Sequence, residues 1–219
     1  MALLDSTSGA ATRLMFITQH DSQNSLMSQA LDYTEAGGRI LQLRLKDKSE
    51  FTVARTASRV LSKLEDRGQL VINDMWRVAR EVGAWGVHLG LTDGDPAMVR
   101  RELGPEVVIG ATAHNFAELK RAAALPVDYI GLGPLRFTQT KSNLSQILGF
   151  DGVAKILQQA RDEGIETPIY IIGGVENQDV RELLGMGAFG VAVSGSIALA
   201  SDPYFATQKF LESITKFLR

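Results

Sequence analysis

Gln42-Leu43-Arg44-Leu45-Lys46 alternates polar and apolar residues without a break, and an extended strand sends alternate side chains to opposite faces. Gln42, Arg44 and Lys46 therefore share one side, while Leu41, Leu43 and Leu45 point to whatever covers the sheet. An amide and two cations along one strand face suit either a solvated edge strand or a surface that meets an anion, because an unpaired buried charge is costly. The stretches on either side weigh against the edge strand, since they too end in polar, chemically useful residues.

Upstream, residues 14–17 form a short apolar run that ends at Thr18-Gln19-His20, and residues 25–36 have helical spacing closed by Gly37-Gly38. The strand at residues 40–46 is followed by a helix over 49–66. Strand 70–72 ends in Asn73-Asp74, helix 76–82 ends at Gly83, and strand 86–89 leads to a helix entered through Pro96 and ending near Leu103. The pattern then repeats. Strand 107–109 runs into Gly110-Ala111-Thr112-Ala113-His114, helix 115–124 follows, and strand 128–132 opens a long polar loop over 133–148. After helix 150–163 come strand 168–172 with Gly173-Gly174, helix 176–186, strand 190–193 with Ser194-Gly195-Ser196, and a last helix from near Pro203. Eight strand-then-helix units with short connections predict a closed parallel (β/α)₈ TIM barrel, with an open doubly wound sheet as the alternative. No internal linker interrupts them, so residues 1–219 read as one domain, with 1–12 a flexible N-terminal tail.

Composition narrows the chemistry. At 219 residues and 45% apolar, the chain can bury a substantial core. A net charge of −2 gives no global field for gripping nucleic acid or an acidic membrane, and neither is expected as a partner. Without cysteine there are no disulfides, thiolate metal sites or cysteine nucleophiles, which suits a cytoplasmic protein. No run has the length of a membrane span, and homo-oligomerisation is left open.

In such barrels the active site is assembled from the loops after the strands. Those loops supply Arg44 and Lys46, Asn73 and Asp74, Asp93, Thr112 and His114, then Thr138, Thr140 and Lys141. The last two strands end in Gly173-Gly174 and Ser194-Gly195-Ser196, the place where barrels commonly receive a phosphate on backbone N–H groups. Asp74 and Asp93 among three cations suit Mg²⁺ and a diphosphate whose charge grows as it leaves. Each has a plainer reading as well: Asp74 as a helix cap, Asp93 as the former of a loop turn, and His88 as a satisfied histidine. The loop 133–148 reads as a lid over anionic substrates or as an ordinary surface loop.

Together these stretches resemble the thiamine phosphate synthase family over nearly the whole chain. The matching segments are Gln42 to Lys46, Asn73-Asp74, Gly86 to Gly90 with Asp93, Gly110 to His114, Asp128 to Pro134, Thr138 to Lys141, Gly173-Gly174 and Gly190 to Ser194. The resemblance implies a transferase that joins a hydroxymethylpyrimidine diphosphate to a hydroxyethylthiazole phosphate and releases diphosphate by a dissociative route. It implies that Gln42, Arg44, Lys46, Asn73 and Lys141 hold the pyrimidine diphosphate, with Arg44, Lys46 and Lys141 catalytic. Asp74 and Asp93 would bind Mg²⁺. Thr138 and Thr140 would hold the thiazole phosphate with the backbones of Gly174, Val193 and Ser194, and Thr112 would line the substrate site. The chain departs from the family pattern at Leu91-Thr92, Arg77, Thr112 and Arg136-Phe137. Two rival readings within the same superfamily are a thiazole tautomerase using His114 and a non-catalytic phosphate-binding barrel.

Overall fold

The computed structural model describes residues 9–20, 25–137 and 146–219. It opens with a short helix α1 (Ala10–Arg13), then β1 (Leu14–Ile17), α2 (Leu26–Glu35), β2 (Ile40–Leu43), α3 (Glu50–Leu64), β3 (Gln69–Asn73), α4 (Trp76–Val82), β4 (Gly86–Leu89), α5 (Pro96–Leu103) and β5 (Val108–Ala113). The second half runs α6 (Phe116–Ala123), β6 (Tyr129–Leu132), α7 (Gly149–Asp162), β7 (Ile169–Ile172), a 3₁₀ turn (Asn177–Asp179), α8 (Val180–Gly185), β8 (Gly190–Val193), α9 (Gly195–Ala198) and α10 (Pro203–Leu218). All neighbouring strands are parallel, and β8 pairs with β1 to close the barrel. The closed form of the expected architecture is therefore the one adopted.

Strand alternation sorts the core into two layers. Leu14, Phe16, Leu41, Leu43, Leu70 and Ile72 face outward and pack with the apolar sides of the helices. Met15, Ile17, Ile40, Val71, Val108, Tyr129, Tyr170 and Ala192 fill the barrel interior. The helices begin where the sequence supplies caps: the Ser25, Ser49 and Asn115 side chains accept from backbone N–H groups, and Asp95 and Asp202 do so just ahead of a first-turn proline.

Two tyrosines lie over glycines in this core. A Cβ on Gly110 would fall 2.1 Å from the Tyr129 ring, and one on Gly38 would fall 2.3 Å from the Tyr33 ring. Gly110 and Tyr129 are direct register partners on β5 and β6, so the ring occupies room that its neighbour strand leaves.

Several boundaries differ from the sequence reading. Strand β2 stops at Leu43 rather than at residue 46, because β1 runs out beside it. The Thr18 N–H still donates to the Gln42 carbonyl at 3.0 Å, but the next N–H, that of Arg44, finds the Thr18 hydroxyl at 3.0 Å instead of a backbone carbonyl. Leu45 nevertheless stays buried, so the alternation outlasts the ladder. Strand β5 is longer than expected and takes in Gly110 to Ala113. Residues 10–12, expected as tail, are helical and pack with α10. Among the described residues no helix is long and apolar enough to cross a membrane.

Candidate active site

The floor of the barrel mouth is a buried polar chain. Gln42 points inward from β2, buried to 2% exposure, and its Nε2 donates to Met15 Sδ at 3.6 Å, close enough to the Tyr129 hydroxyl to bear on its titration. The Tyr129 hydroxyl itself begins the chain. That hydroxyl lies 3.0 Å from His88 Nδ1, and His88 Nε2 lies 2.9 Å from the Thr112 hydroxyl. The chain thus joins β6, β4 and β5 across the interior. Burial holds the Tyr129 phenol protonated, far above its ordinary range, with Gln42 pulling weakly the other way. His88 has a partner on each ring nitrogen, in line with its structural reading.

Above this floor stand the charged groups. Arg44 is half-buried just past β2; burial pulls its guanidinium below the usual value, and Asp74 and then Asp47 oppose that. Asp74 follows β3 in a left-handed conformation, φ 65°, with its N–H donating to the His88 carbonyl at 2.8 Å. Its carboxyl is pushed up to about 6, first by burial and then by the adjoining Asp93, against the opposing pull of Arg44 and the Asn73 side chain. Asp93 is positioned by the Gly90 N–H, which donates to its Oδ2 at 2.9 Å. A Cβ on Gly90 would meet Asp93 Oδ2 at 2.4 Å and Asp74 Oδ1 at 3.9 Å, so both carboxylates crowd over that glycine. Two carboxylates so close share a proton or a cation. Among the described residues no group of three or more His, Asp or Glu side chains is placed to hold a metal. The Asp74–Asp93 pair is an oxygen-only donor set of the kind Mg²⁺ takes with water and substrate completing its shell.

The opposite side of the mouth is the Gly173-Gly174 turn after β7 and the start of α9 after β8. Both glycines adopt positive φ, 88° and 72°. The segment Pro134–Arg136 lies flush on them: a Cβ would come within 2.6 Å of Pro134 Cβ at Gly173 and 2.8 Å of Arg136 Cβ at Gly174. Val193 ends β8 in the core, and the Ser194 hydroxyl is buried without a hydrogen-bond partner among the described residues.

The expected residues are therefore distributed unevenly. Gln42, Arg44, Asn73, Asp74 and Asp93 are carried on consecutive strands β2 to β4 or the loops after them. Thr112 is at the floor with its hydroxyl turned to His88. Gly174, Val193 and Ser194 follow or end β7 and β8. Lys46 is instead exposed on a turn beyond β2, because the strand that was expected to carry it ends three residues earlier. Thr138, Thr140 and Lys141, and with them most of the expected lid, lie outside the described residues. His114 has its ring Nδ1 3.0 Å from Glu118 Oε2, which also accepts from the His114 N–H at 2.8 Å. Burial alone would raise Glu118, but the bonds from His114 and Asn115 outweigh it and hold the carboxyl below its usual value.

Sequence reasoning missed Thr18, whose signal was its place directly after β1, and the pairing of Arg136 with Asp179. Arg136 Nη1 donates to Asp179 Oδ2 at 2.5 Å and Nη2 to Oδ1 at 2.8 Å. The two residues are 43 apart in the chain, and no local pattern links them.

Comparison with known proteins identifies a family and a fold. Residues 14–197 match the thiamine monophosphate synthase family. The thiamine-phosphate synthase of Phocaeicola vulgatus is 38% identical over 199 residues, spanning 90% of this chain and 96% of the relative. That of Bacteroides fragilis is 36% identical over 200 residues, spanning 90% and 98%. A thiamine phosphate pyrophosphorylase structure from Pyrococcus furiosus superposes with a TM-score of 0.83 at 24% identity, covering 94% of this chain and 97% of that one, a likeness of fold.

Proposed function

The chain belongs to the thiamine monophosphate synthase family, and from that membership we propose that it joins 4-amino-2-methyl-5-hydroxymethylpyrimidine diphosphate to 4-methyl-5-hydroxyethylthiazole phosphate. The products are thiamine phosphate and diphosphate. The observation that carries the reading is the half-buried Arg44 opposing Asp74, with Asp93 beside it, over a closed polar floor. The arrangement offers cationic and amide donors for a leaving group.

In this reading Gln42, Arg44, Lys46, Asn73 and Lys141 hold the pyrimidine diphosphate, and Thr112 lines the pyrimidine side. Arg44, Lys46 and Lys141 stabilise charge that develops as the carbon–oxygen bond breaks and its electron pair passes to diphosphate. The thiazole nitrogen then donates its lone pair to the methylene cation, forming the carbon–nitrogen bond. Neither step transfers a proton, so the site requires no general base. Thr138, Thr140 and the backbones of Gly174, Val193 and Ser194 hold the thiazole phosphate. Asp74 and Asp93 would hold Mg²⁺, which when bound neutralises part of the diphosphate charge. The substrates are small molecules, and a cytoplasmic location suits a chain without cysteine.

The test is direct. Purified protein with both substrates and Mg²⁺ should form thiamine phosphate and diphosphate in equal amounts. Isomerisation of a thiazole phosphate without any thiamine phosphate would overturn the assignment in favour of a tautomerase.

A further inference from the structure

The Arg136–Asp179 pair belongs to none of the roles above, yet it sits against the Gly173-Gly174 turn. Pro134–Arg136 runs alongside Ile172–Gly174, with the Leu135 N–H donating to the Ile172 carbonyl and the Arg136 N–H to the Gly173 carbonyl, both at 2.9 Å. The Arg136 side chain continues the pattern: Nη1 donates to the Gly174 carbonyl at 2.9 Å while the guanidinium forks onto both oxygens of Asp179. Its other face packs over the Phe150 ring, 5.1 Å from the centroid.

Asp179 is a fixed anchor for this arginine. It is 4% exposed, and its Oδ2 also accepts from the Glu176 N–H at 2.8 Å. A buried carboxylate that lost its fork would be left uncompensated, so the two residues hold each other in place.

The consequence falls on two peptide groups. In a trans peptide the C=O and N–H point in opposite directions. The Arg136 main chain holds the carbonyl between Gly173 and Gly174, and its side chain holds the carbonyl between Gly174 and Val175. The N–H groups of Gly174 and Val175 are therefore both turned away from Arg136. Glycines at positive φ could otherwise let these peptides rotate. The same segment anchors the far end of the β6–α7 connection, since the Leu148 N–H donates to the Pro134 carbonyl at 2.9 Å and the Gly149 N–H to the Leu135 carbonyl at 3.1 Å.

We propose that Arg136, anchored by Asp179, is a positioning residue for the phosphate-ester substrate, presetting the Gly174 and Val175 N–H groups to receive its phosphate. The proposal rests on the functional reading above, which assigns the thiazole phosphate to this side of the mouth. It also separates the two substrates, because the pyrimidine diphosphate is assigned to Gln42, Arg44, Lys46 and Asn73 around β2 and β3, with Lys141 the one residue assigned to it from the β6–α7 connection.

Arg136→Lys, Arg136→Ala and Asp179→Asn are the variants, with both substrates varied in steady-state kinetics and Tm measured alongside. Losing a hydrogen bond made by a charged group corresponds to roughly a 10- to 100-fold change in affinity. KM for the thiazole phosphate should rise by about that much in Arg136→Ala. It should rise less in Arg136→Lys, which keeps the charge, and KM for the pyrimidine diphosphate should change far less than that for the thiazole phosphate. A lower Tm with both KM values unchanged, or both rising together, would mean that the pair only stabilises the fold. Should Arg136→Ala fail to fold, Arg136→Lys and Asp179→Asn carry the same reading. Titrating thiazole phosphate into wild type and Arg136→Lys by calorimetry keeps this test apart from the assignment of the reaction. Weaker binding in the variant upholds the clamp even if wild type makes no thiamine phosphate. Equal binding, or none to wild type, overturns it.

Discussion

The Tyr129 hydroxyl and His88 Nδ1 stand 3.0 Å apart at the centre of the barrel, and through the other ring nitrogen the pair reaches the Thr112 hydroxyl. Tyr129→Phe keeps the ring but leaves one His88 nitrogen short of a partner. The expected cost is roughly 1–3 kcal/mol for an unsatisfied buried polar group. It should be read as a lower denaturation midpoint, with activity reduced only to the extent that His88 and Thr112 shift. An unchanged midpoint would show that water replaces the hydroxyl and that the chain contributes nothing to stability.

Asp74 makes a pH-dependent prediction. Its carboxyl is pushed up to about 6 in the folded protein, by burial first and then by the neighbouring Asp93. The sign follows from linkage: a group whose folded value is raised contributes stability at low pH that is lost as pH rises through about 6. Asp74→Asn removes that loss, and asparagine tolerates the left-handed backbone at this position. The metal-free variant should therefore match wild type near pH 4 and exceed it in Tm at pH 8, while losing most activity. Mg²⁺ should raise the Tm of wild type at pH 8 and not that of the variant. A Tm difference that is the same at both pH values would refute the argument.

Arg44→Lys tests the leaving-group assignment. A lysine keeps the charge but not the planar fork, and losing one preorganised donor at a developing charge typically costs about 10²- to 10³-fold in rate. Turnover measured with saturating substrates should fall within or somewhat short of that range. Unaltered turnover and diphosphate affinity would return this residue to a structural role.

Metal dependence is tested by removal. EDTA should abolish thiamine phosphate formation and excess Mg²⁺ should restore it, whereas Asp93→Ala should fold normally and regain only part of its activity at high Mg²⁺. Full turnover in EDTA would rule out a required metal at the carboxylate pair.

His114→Ala distinguishes coupling from isomerisation. Capture of a cation by a ring nitrogen needs no base, so coupling should drop modestly, with a small loss of Tm because Glu118 loses the imidazole while keeping the residue-114 N–H and the Asn115 amide. If the protein were a tautomerase, loss of its acid–base group would cost roughly 10²- to 10⁴-fold. Assaying both reactions on the one variant gives the answer.

What could be read in advance was whatever depends on near neighbours in the chain. The alternation around Gln42 put its side chain on the face opposite Leu41 and Leu43, the face that turns out to be the barrel interior, and glycine or serine punctuation located the ends of most elements. The end of β2 at Leu43, short of Lys46, was missed because alternation reports which face a residue takes, not where the hydrogen-bond ladder stops; that was decided by Thr18, 28 residues before Lys46 in the chain. The helix expected over 176–186 begins instead as a 3₁₀ turn, where Asp179 is committed to Arg136 and to the Glu176 N–H. Such long-range commitments leave no periodic trace. Neither does the crowding of Asp74 and Asp93 over Gly90, which needs two loops to meet.

The tyrosines that lie over Gly38 and Gly110 have a bearing on how this barrel can vary through descent. At each pair one residue's volume is the other's absence, so in this fold neither glycine can gain a side chain alone. A side chain at Gly110 would require something smaller than Tyr129, and the hydroxyl bond to His88 would lapse with the ring. Drift at one glycine is thus closed until its partner has shrunk. The order of those two changes, small at the tyrosine first, is the one that a lineage could survive.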